Sequence, residues 1–184
     1  MKTLEIRRHS LRKAGGGSQL SQQGVAYARR IGATMGPFAH VAATVVPRTR
    51  ETAIAMGFAV DQEIVTLVSD EGVCAEVEAS RYWEAAQPFV ALAKLMAAQG
   101  SAWRYAQALA ALWRDLLTPL PDGAAALVIA HSGDLELALL ACLPDADHAQ
   151  WGAPFAPCEG ARLRFAGEPA RFVEVEMLRI AQDI

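Results

Sequence analysis

The chemistry that this 184-residue chain can offer is concentrated in Arg8, His9, Arg48 and His131. Each follows a segment whose composition predicts a buried β-strand. Arg8 and His9 close Thr3–Arg8, Arg48 follows the β-branched run Val41–Val46 and Pro47, and His131 follows the unbroken apolar stretch Ala124–Ala130. In open α/β sheets, ligands bind beyond the carboxyl ends of the strands, so these residues are expected at one rim. Arginine presents a planar fork of donors that fits phosphate oxygens. Histidine can serve as a nucleophile or as an acid and base near neutral pH. Taken singly, the arginines read as ordinary strand-end charges, His9 as a capping residue and His131 as a partner for free backbone groups. Their coincidence at equivalent strand ends points instead to a phosphoryl group.

The elements that must position them alternate in type. After the first strand, Ser10–Gln19 is polar and glycine-rich. Ser21 then serves as N-cap of a helix with an apolar stripe at Val25, Ala28, Ile31 and Met35, stopped by Gly36-Pro37. Arg50–Gly57 reads as a helix, Ile64–Val68 as a strand, and the acidic, aperiodic Ser69–Ser80 as a loop. Pro88 opens a helix through Leu92, Leu95 and Met96 that breaks at Gly100. Tyr105–Leu117 forms another, with Ala106, Leu109, Ala110, Trp113 and Leu116 on one face. His131-Ser132-Gly133 leads into a helix through Leu143, which precedes two closing strands, Ala161–Ala166 and Arg171–Leu178, with a turn at 167–169. This alternation predicts an α/β fold, three layers in α/β/α order around a mostly parallel central sheet. Residues 1–184 read as one domain with a helical insert at about 81–118.

Composition narrows the function classes. The chain is 53% hydrophobic and 20% charged, as expected of a folded globular protein. Its net charge of −3 leaves no basic field for nucleic acid or anionic membrane. Three cysteines, Cys74, Cys142 and Cys158, match no paired metal or redox spacing and suit a reducing compartment. No leader-like apolar segment opens the sequence, and a cytoplasmic location is expected. Gly15-Gly16-Gly17 lacks the Lys-Ser/Thr of a nucleotide-binding P-loop, and a rim loop is expected there.

The motifs, in order, resemble those of the histidine phosphatase superfamily, the phosphoglycerate-mutase-like proteins. Arg8-His9-Ser10 resembles the Arg-His-Gly signature, Leu20-Ser21-Gln22-Gln23-Gly24 the Leu-Thr/Ser-x-x-Gly helix start, Pro47–Ala53 the block that carries the second arginine, and Ala130-His131-Ser132-Gly133 the second-histidine motif. The resemblance spans Thr3 to about Leu178. It implies that His9 attacks phosphorus to give a phosphohistidine, while Arg8, Arg48 and His131 hold the phosphoryl oxygens. Ser10 stands where glycine is usual, and its hydroxyl is a candidate phosphate donor. With no Asp/His cluster at ligand spacing, neither metal nor cofactor is expected.

The resemblance also implies a glutamate, some twenty to thirty residues beyond the second arginine, that protonates the leaving group. Glu71, Glu76 and Glu78 fall in that window, with Glu76 favoured and Asp134 as the outside candidate. The expected activity is metal-independent hydrolysis of phosphomonoesters, or of phosphohistidine on a protein. Phosphorylated small molecules or phosphoproteins and inorganic phosphate are the expected partners, and a homodimer is compatible with the sequence. The alternative is a non-catalytic phosphate-binding regulatory module, and a phosphotransferase or mutase stands third. The cover around Tyr82, Trp83, Phe89, Trp103 and Tyr105 has few basic residues, which disfavours a bisphosphate substrate.

Overall fold

Six strands form one sheet in the order β3-β2-β4-β1-β5-β6 in a computed structural model that describes residues 1–15, 17–65 and 69–181. Strands β1 (Lys2–Arg8), β2 (His40–Thr44), β3 (Gln62–Ile64) and β4 (Ala125–Ala130) run parallel. Strand β5 (Gly160–Ala166) runs antiparallel to β1, and β6 (Arg171–Leu178) antiparallel to β5. The mostly parallel α/β sheet expected from the alternation of elements is therefore present.

Helices α1 (Gln22–Gly32) and α2 (Pro47–Ala55) cover one face of the sheet. Helices α3 (Glu71–Ser80), α4 (Pro88–Ala97), α5 (Ser101–Leu117) and α6 (Asp134–Cys142) pack over the other. Strand β4 is apolar throughout because both its faces are covered. Ala126 and Val128 point into the larger core, while Leu127 and Ile129 point into the smaller one. On the α1/α2 side β1 instead carries Glu5 and Arg7. Both are buried, and Glu5 accepts from Arg7 at 2.8 Å and from Arg162 at 2.9 Å, so the buried carboxylate is paired.

Several boundaries differ from the sequence reading; among them, β2 ends at Thr44 and not Val46, and α1 ends at Gly32, before Met35. Ser69–Ser80 is not a loop, because Glu71–Ser80 is helical, with Asp70 accepting from Val73 N at 2.9 Å as its N-cap. Only Val73 on that helix is fully buried, so no apolar period marks it. Helix α2 starts at Pro47 rather than Arg50, since proline suits the first helical turn. Helix α5 starts at Ser101, four residues before Tyr105. Of the strand expected at Ile64–Val68, Ile64 closes β3, and residues 66–68 lie outside the described residues, as does Gly16.

Two glycines set the geometry of the site loops. A Cβ on Gly24 would overlap the Leu11 carbonyl, so glycine lets α1 press against the loop that leaves β1. Gly133 has φ +91°, a region that other residues rarely occupy, at the turn between β4 and α6.

Candidate active site

The carboxyl ends of β1, β2 and β4 bring together Arg8, His9, Thr44, Arg48 and His131, from segments far apart in the chain. Arg8 pairs with Ala130 in the sheet register, and His9 N donates to Ala130 O at 3.0 Å, which places the two histidines side by side. Their ring centroids are 5.2 Å apart, edge to face. Arg48 enters from the first turn of α2, and its Nη2 lies 3.2 Å from His131 Nδ1. His131 Nε2 lies 3.1 Å from Thr44 Oγ1.

The donors are held in place but incompletely partnered. Arg8 Nη1 donates to Phe155 O at 2.6 Å, which fixes the guanidinium. The Nε atoms of Arg8 and Arg48 are both buried with no hydrogen-bond partner. Orphaned buried donors are rare and destabilising, and two of them on neighbouring arginines could both be satisfied by one anion.

His9 is only 8% exposed, and its Nδ1 lies 2.7 Å from the Ser10 carbonyl. A carbonyl can only accept, so Nδ1 carries the proton and Nε2 is left with a free lone pair. Burial is the largest influence holding His9 down at about pKa 4. The bond to Ser10 O opposes it, and the positive charges of Arg48, Arg8 and Arg12 reinforce it. His131 is likewise held neutral, at about 3, by burial and then by Arg48. The pocket therefore presents a neutral imidazole with a free Nε2 lone pair in a positive field.

Two expected site residues are placed elsewhere. Ser10 is fully buried, and its hydroxyl donates to Gly24 O at 2.7 Å, so it braces α1 and is not directed at a phosphate. Glu76 caps α5: its two oxygens accept from Ser101 N and Ala102 N, each at 2.8 Å. Those bonds hold its carboxyl below the usual range, the reverse of what a proton donor needs. Glu71 stands in the first turn of α3, and Glu78 lies on an exposed face of that helix.

Asp134, the outside candidate, lies on the site side. It opens α6 three residues after His131 and shares a hydrogen bond with Tyr105. Burial pushes its carboxyl up from 3.8 to about 6, opposed by the Tyr105 bond and by Arg48. It lines a cavity of about 180 Å³ between the Ser132–Asp134 turn and α3, together with Val73, Cys74, Val77, Glu78 and Leu137. Two carboxylates, Glu78 and Asp134, and no basic side chain line this cavity among the described residues.

Two further residues escaped the sequence reading. Arg12, three positions after His9 in the polar loop, lies near enough to oppose protonation of His9 and to act on Arg48. Glu136 is completely buried; its oxygens accept from Ser132 Oγ at 3.0 Å, Gly133 N at 2.5 Å and Phe155 N at 2.9 Å. It locks the turn behind His131, and its place three residues after Gly133 is the signal of a capping glutamate. No three His, Cys, Asp or Glu side chains converge as metal ligands, and no helix is long and apolar enough to cross a membrane, among the described residues.

The architecture is the phosphoglycerate-mutase-like α/β fold. Two solved structures illustrate the likeness. Phosphoserine phosphatase from Entamoeba histolytica, solved with 3-phosphoglyceric acid, is 13% identical over 98% of both chains, with a TM-score of 0.65. A mycobacterial glucosyl-3-phosphoglycerate phosphatase, solved with VO3, is 16% identical over 97% of this chain and 98% of that one, with a TM-score of 0.67. At such identities the likeness establishes the fold. No family model and no curated sequence matches the chain.

Proposed function

We propose that the protein is a phosphatase that hydrolyses phosphomonoesters through a phosphohistidine on His9, with Asp134 as the proton donor. The observation that carries this reading is the pair of buried, unpartnered Nε donors of Arg8 and Arg48 beside the free Nε2 of a neutral His9. In the first step the His9 Nε2 lone pair attacks phosphorus, the bond from phosphorus to the ester oxygen breaks, and that oxygen takes the Asp134 proton. In the second, water attacks the phosphohistidine, the Asp134 carboxylate takes a proton from that water, and phosphate leaves with His9 neutral again. The arginines match the charge that spreads over the equatorial oxygens in both steps. Positive side chains supply that charge here, so the reaction is proposed to run without a metal ion.

The cavity beyond Asp134 is the place for the leaving group. Its apolar wall and two carboxylates favour small neutral or amino-bearing alcohols over bisphosphates and phosphorylated acids. The named activities of the two similar structures support phosphatase chemistry as a class. The non-catalytic alternative loses one of its supports, because Ser10 serves the helix instead of narrowing the pocket. The test is phosphate release from a panel of amino-alcohol, sugar, carboxylate-bearing and bisphosphate esters in the presence of EDTA. Turnover in EDTA, strongest on neutral or amino-bearing esters, is expected. No release from any ester would refute the hydrolytic reading.

A further inference from the structure

The hydroxyl bonds behind His131 can be accounted for proton by proton. Thr49 Oγ1 has one hydrogen and two backbone acceptors, Thr44 O at 2.9 Å and Val46 O at 2.7 Å. That hydrogen is therefore committed to the backbone, and Thr49 Oγ1 faces Thr44 Oγ1, 3.0 Å away, as an acceptor. The Thr44 hydroxyl must donate to it. Thr44 then turns a lone pair toward His131 Nε2, so Nε2 carries the proton. At the other edge of the ring, Arg48 Nη2 can only donate, which requires Nδ1 to be bare. Both neighbours thus demand the same neutral tautomer.

This tautomer conflicts with the ligand the site is proposed to take. With Nε2 engaged by β2, the ring offers Nδ1 to the arginine cluster, and a bare nitrogen repels a phosphoryl oxygen. It becomes a donor only after gaining a proton, and then Nε2–H still has Thr44 to receive it. We propose that Thr44, backed by Thr49, is a positioning residue that fixes His131 as the Nε2–H tautomer, so that the pocket takes up one proton at His131 Nδ1 when a tetrahedral dianion binds. The inference rests on the proposed phosphoryl pocket. The charged or titratable groups around His131 are Arg48 on α2 and Arg8 and His9 at the end of β1. Arg48 and Arg8 oppose its protonation in the free protein, His9 does so only where it is itself charged, and the dianion cancels the arginine field on binding. Asp134, on the helix after His131, faces Arg48. Proton transfer here is uptake from solvent, with no bond to phosphorus made or broken.

Sulfate is the probe, because it is a tetrahedral dianion that does not itself titrate near neutral pH. Calorimetric titration in Tris, HEPES and PIPES gives the protons taken up per sulfate from the dependence of apparent heat on buffer ionisation. About one is expected for the wild type, with affinity falling about tenfold per pH unit on the alkaline side. Thr44→Ser keeps the hydroxyl and is expected to match the wild type. Thr44→Val removes the acceptor for Nε2–H, making the Nδ1–H tautomer able to meet sulfate without a new proton, so uptake falls toward zero. Nitrogen-15 correlation spectra of the wild type place the proton: Nε2–H alone when free, both nitrogens of His131 when bound. Sulfate binding without uptake, a proton landing on His9, or a free ring protonated at Nδ1 would each overturn the inference while leaving the pocket intact. Failure of the wild type to bind sulfate would overturn the pocket and this inference together.

Discussion

Replacing Asp134 by Asn separates the acid's role from its burden on the fold. Asn keeps the shape and a hydrogen-bonding oxygen for Tyr105 but never ionises. Asp134 has a folded pKa of about 6 against 3.8 for the unconstrained group, so the folded protein binds its proton more tightly than the unfolded chain does. At a pH below the unfolded value both states are protonated and the residue has no net effect. As pH rises from about 4 to 6 the wild type loses stability, and above 6 the full penalty is present. Linkage puts that penalty at about 3 kcal/mol. Asp134→Asn is therefore expected to be more stable than the wild type at pH 7.5, by up to roughly 6–12 °C in midpoint for a domain of this size, and equal to it near pH 4. Its activity moves the other way. Loss of a general acid slows an alkyl phosphate by about 10²–10⁴-fold and barely slows nitrophenyl phosphate, whose leaving group departs without a proton. Urea melts at the two pH values and rates on both esters make the test. A variant less stable than the wild type at pH 7.5, or one slowed equally on both esters, would refute the reasoning.

Three other substitutions probe the rest of the site. His9→Ala is expected to abolish turnover on every ester while its near-ultraviolet circular dichroism matches the wild type; residual turnover in the pure variant would remove His9 as nucleophile. Glu76→Gln gives up the charge that caps α5, so its melting midpoint should drop by a few degrees with no leaving-group-dependent change in rate. A selective loss on alkyl esters would return Glu76 to the role of acid. Glu78→Lys reverses the charge at the cavity rim, and the ratio of kcat/KM for carboxylate-bearing over amino-bearing esters should rise roughly three- to tenfold, as expected for partly screened charges. An unchanged ratio would show that this cavity does not receive the leaving group.

The convergence of Arg8, His9, Arg48 and His131 was legible in the sequence because these residues are tied to strand ends. Parallel strands buried on both faces read as apolar runs, and Ala124–Ala130 and Val41–Val46 therefore announce where the chain must turn toward the rim. Topology constrains the residues just past such a run, so Arg48 and His131 could be paired across 83 residues. The acid was not legible in this way. Helix α3 touches the core through Val73 and, one turn on, the half-buried Val77, too few apolar residues to mark a period, so nothing in Ser69–Ser80 shows which carboxylate points where. Glu76 has the right distance along the chain, yet its partners, the amides of Ser101 and Ala102, are brought to it only by tertiary packing. Ser10 misled for a related reason. Its neighbour His9 faces the pocket, but its own hydroxyl reaches back to Gly24, a contact set by the close approach of α1 to Leu11.

Among the described residues, the carboxylates around the pocket are arranged so that none forms an ion pair with Arg8 or Arg48. Glu136 lies behind the His131 turn and uses its oxygens on Ser132, Gly133 and Phe155. Asp134 is close enough to feel Arg48, but burial raises its carboxyl to about 6, so that its proton is lost only above that pH. Neither forms a salt bridge with Arg8 or Arg48, whose Nε atoms stay unpartnered. Elsewhere in the same sheet the opposite choice is made, since Glu5 pairs with both Arg7 and Arg162. The contrast separates stability from function: an ion pair satisfies the charges where nothing has to bind, whereas at the rim the positive groups are left short of one anion. Supplying that anion should stabilise the whole fold by mass action, since the unfolded chain has no such pocket to share it. Burial is the main reason the histidines are held neutral, and the excess positive charge of the arginines reinforces it. A protonated His9 would add to an already excess positive charge and remove the lone pair that the proposed chemistry needs, so the arginines proposed to gather the phosphoryl group also favour the neutral form of His9.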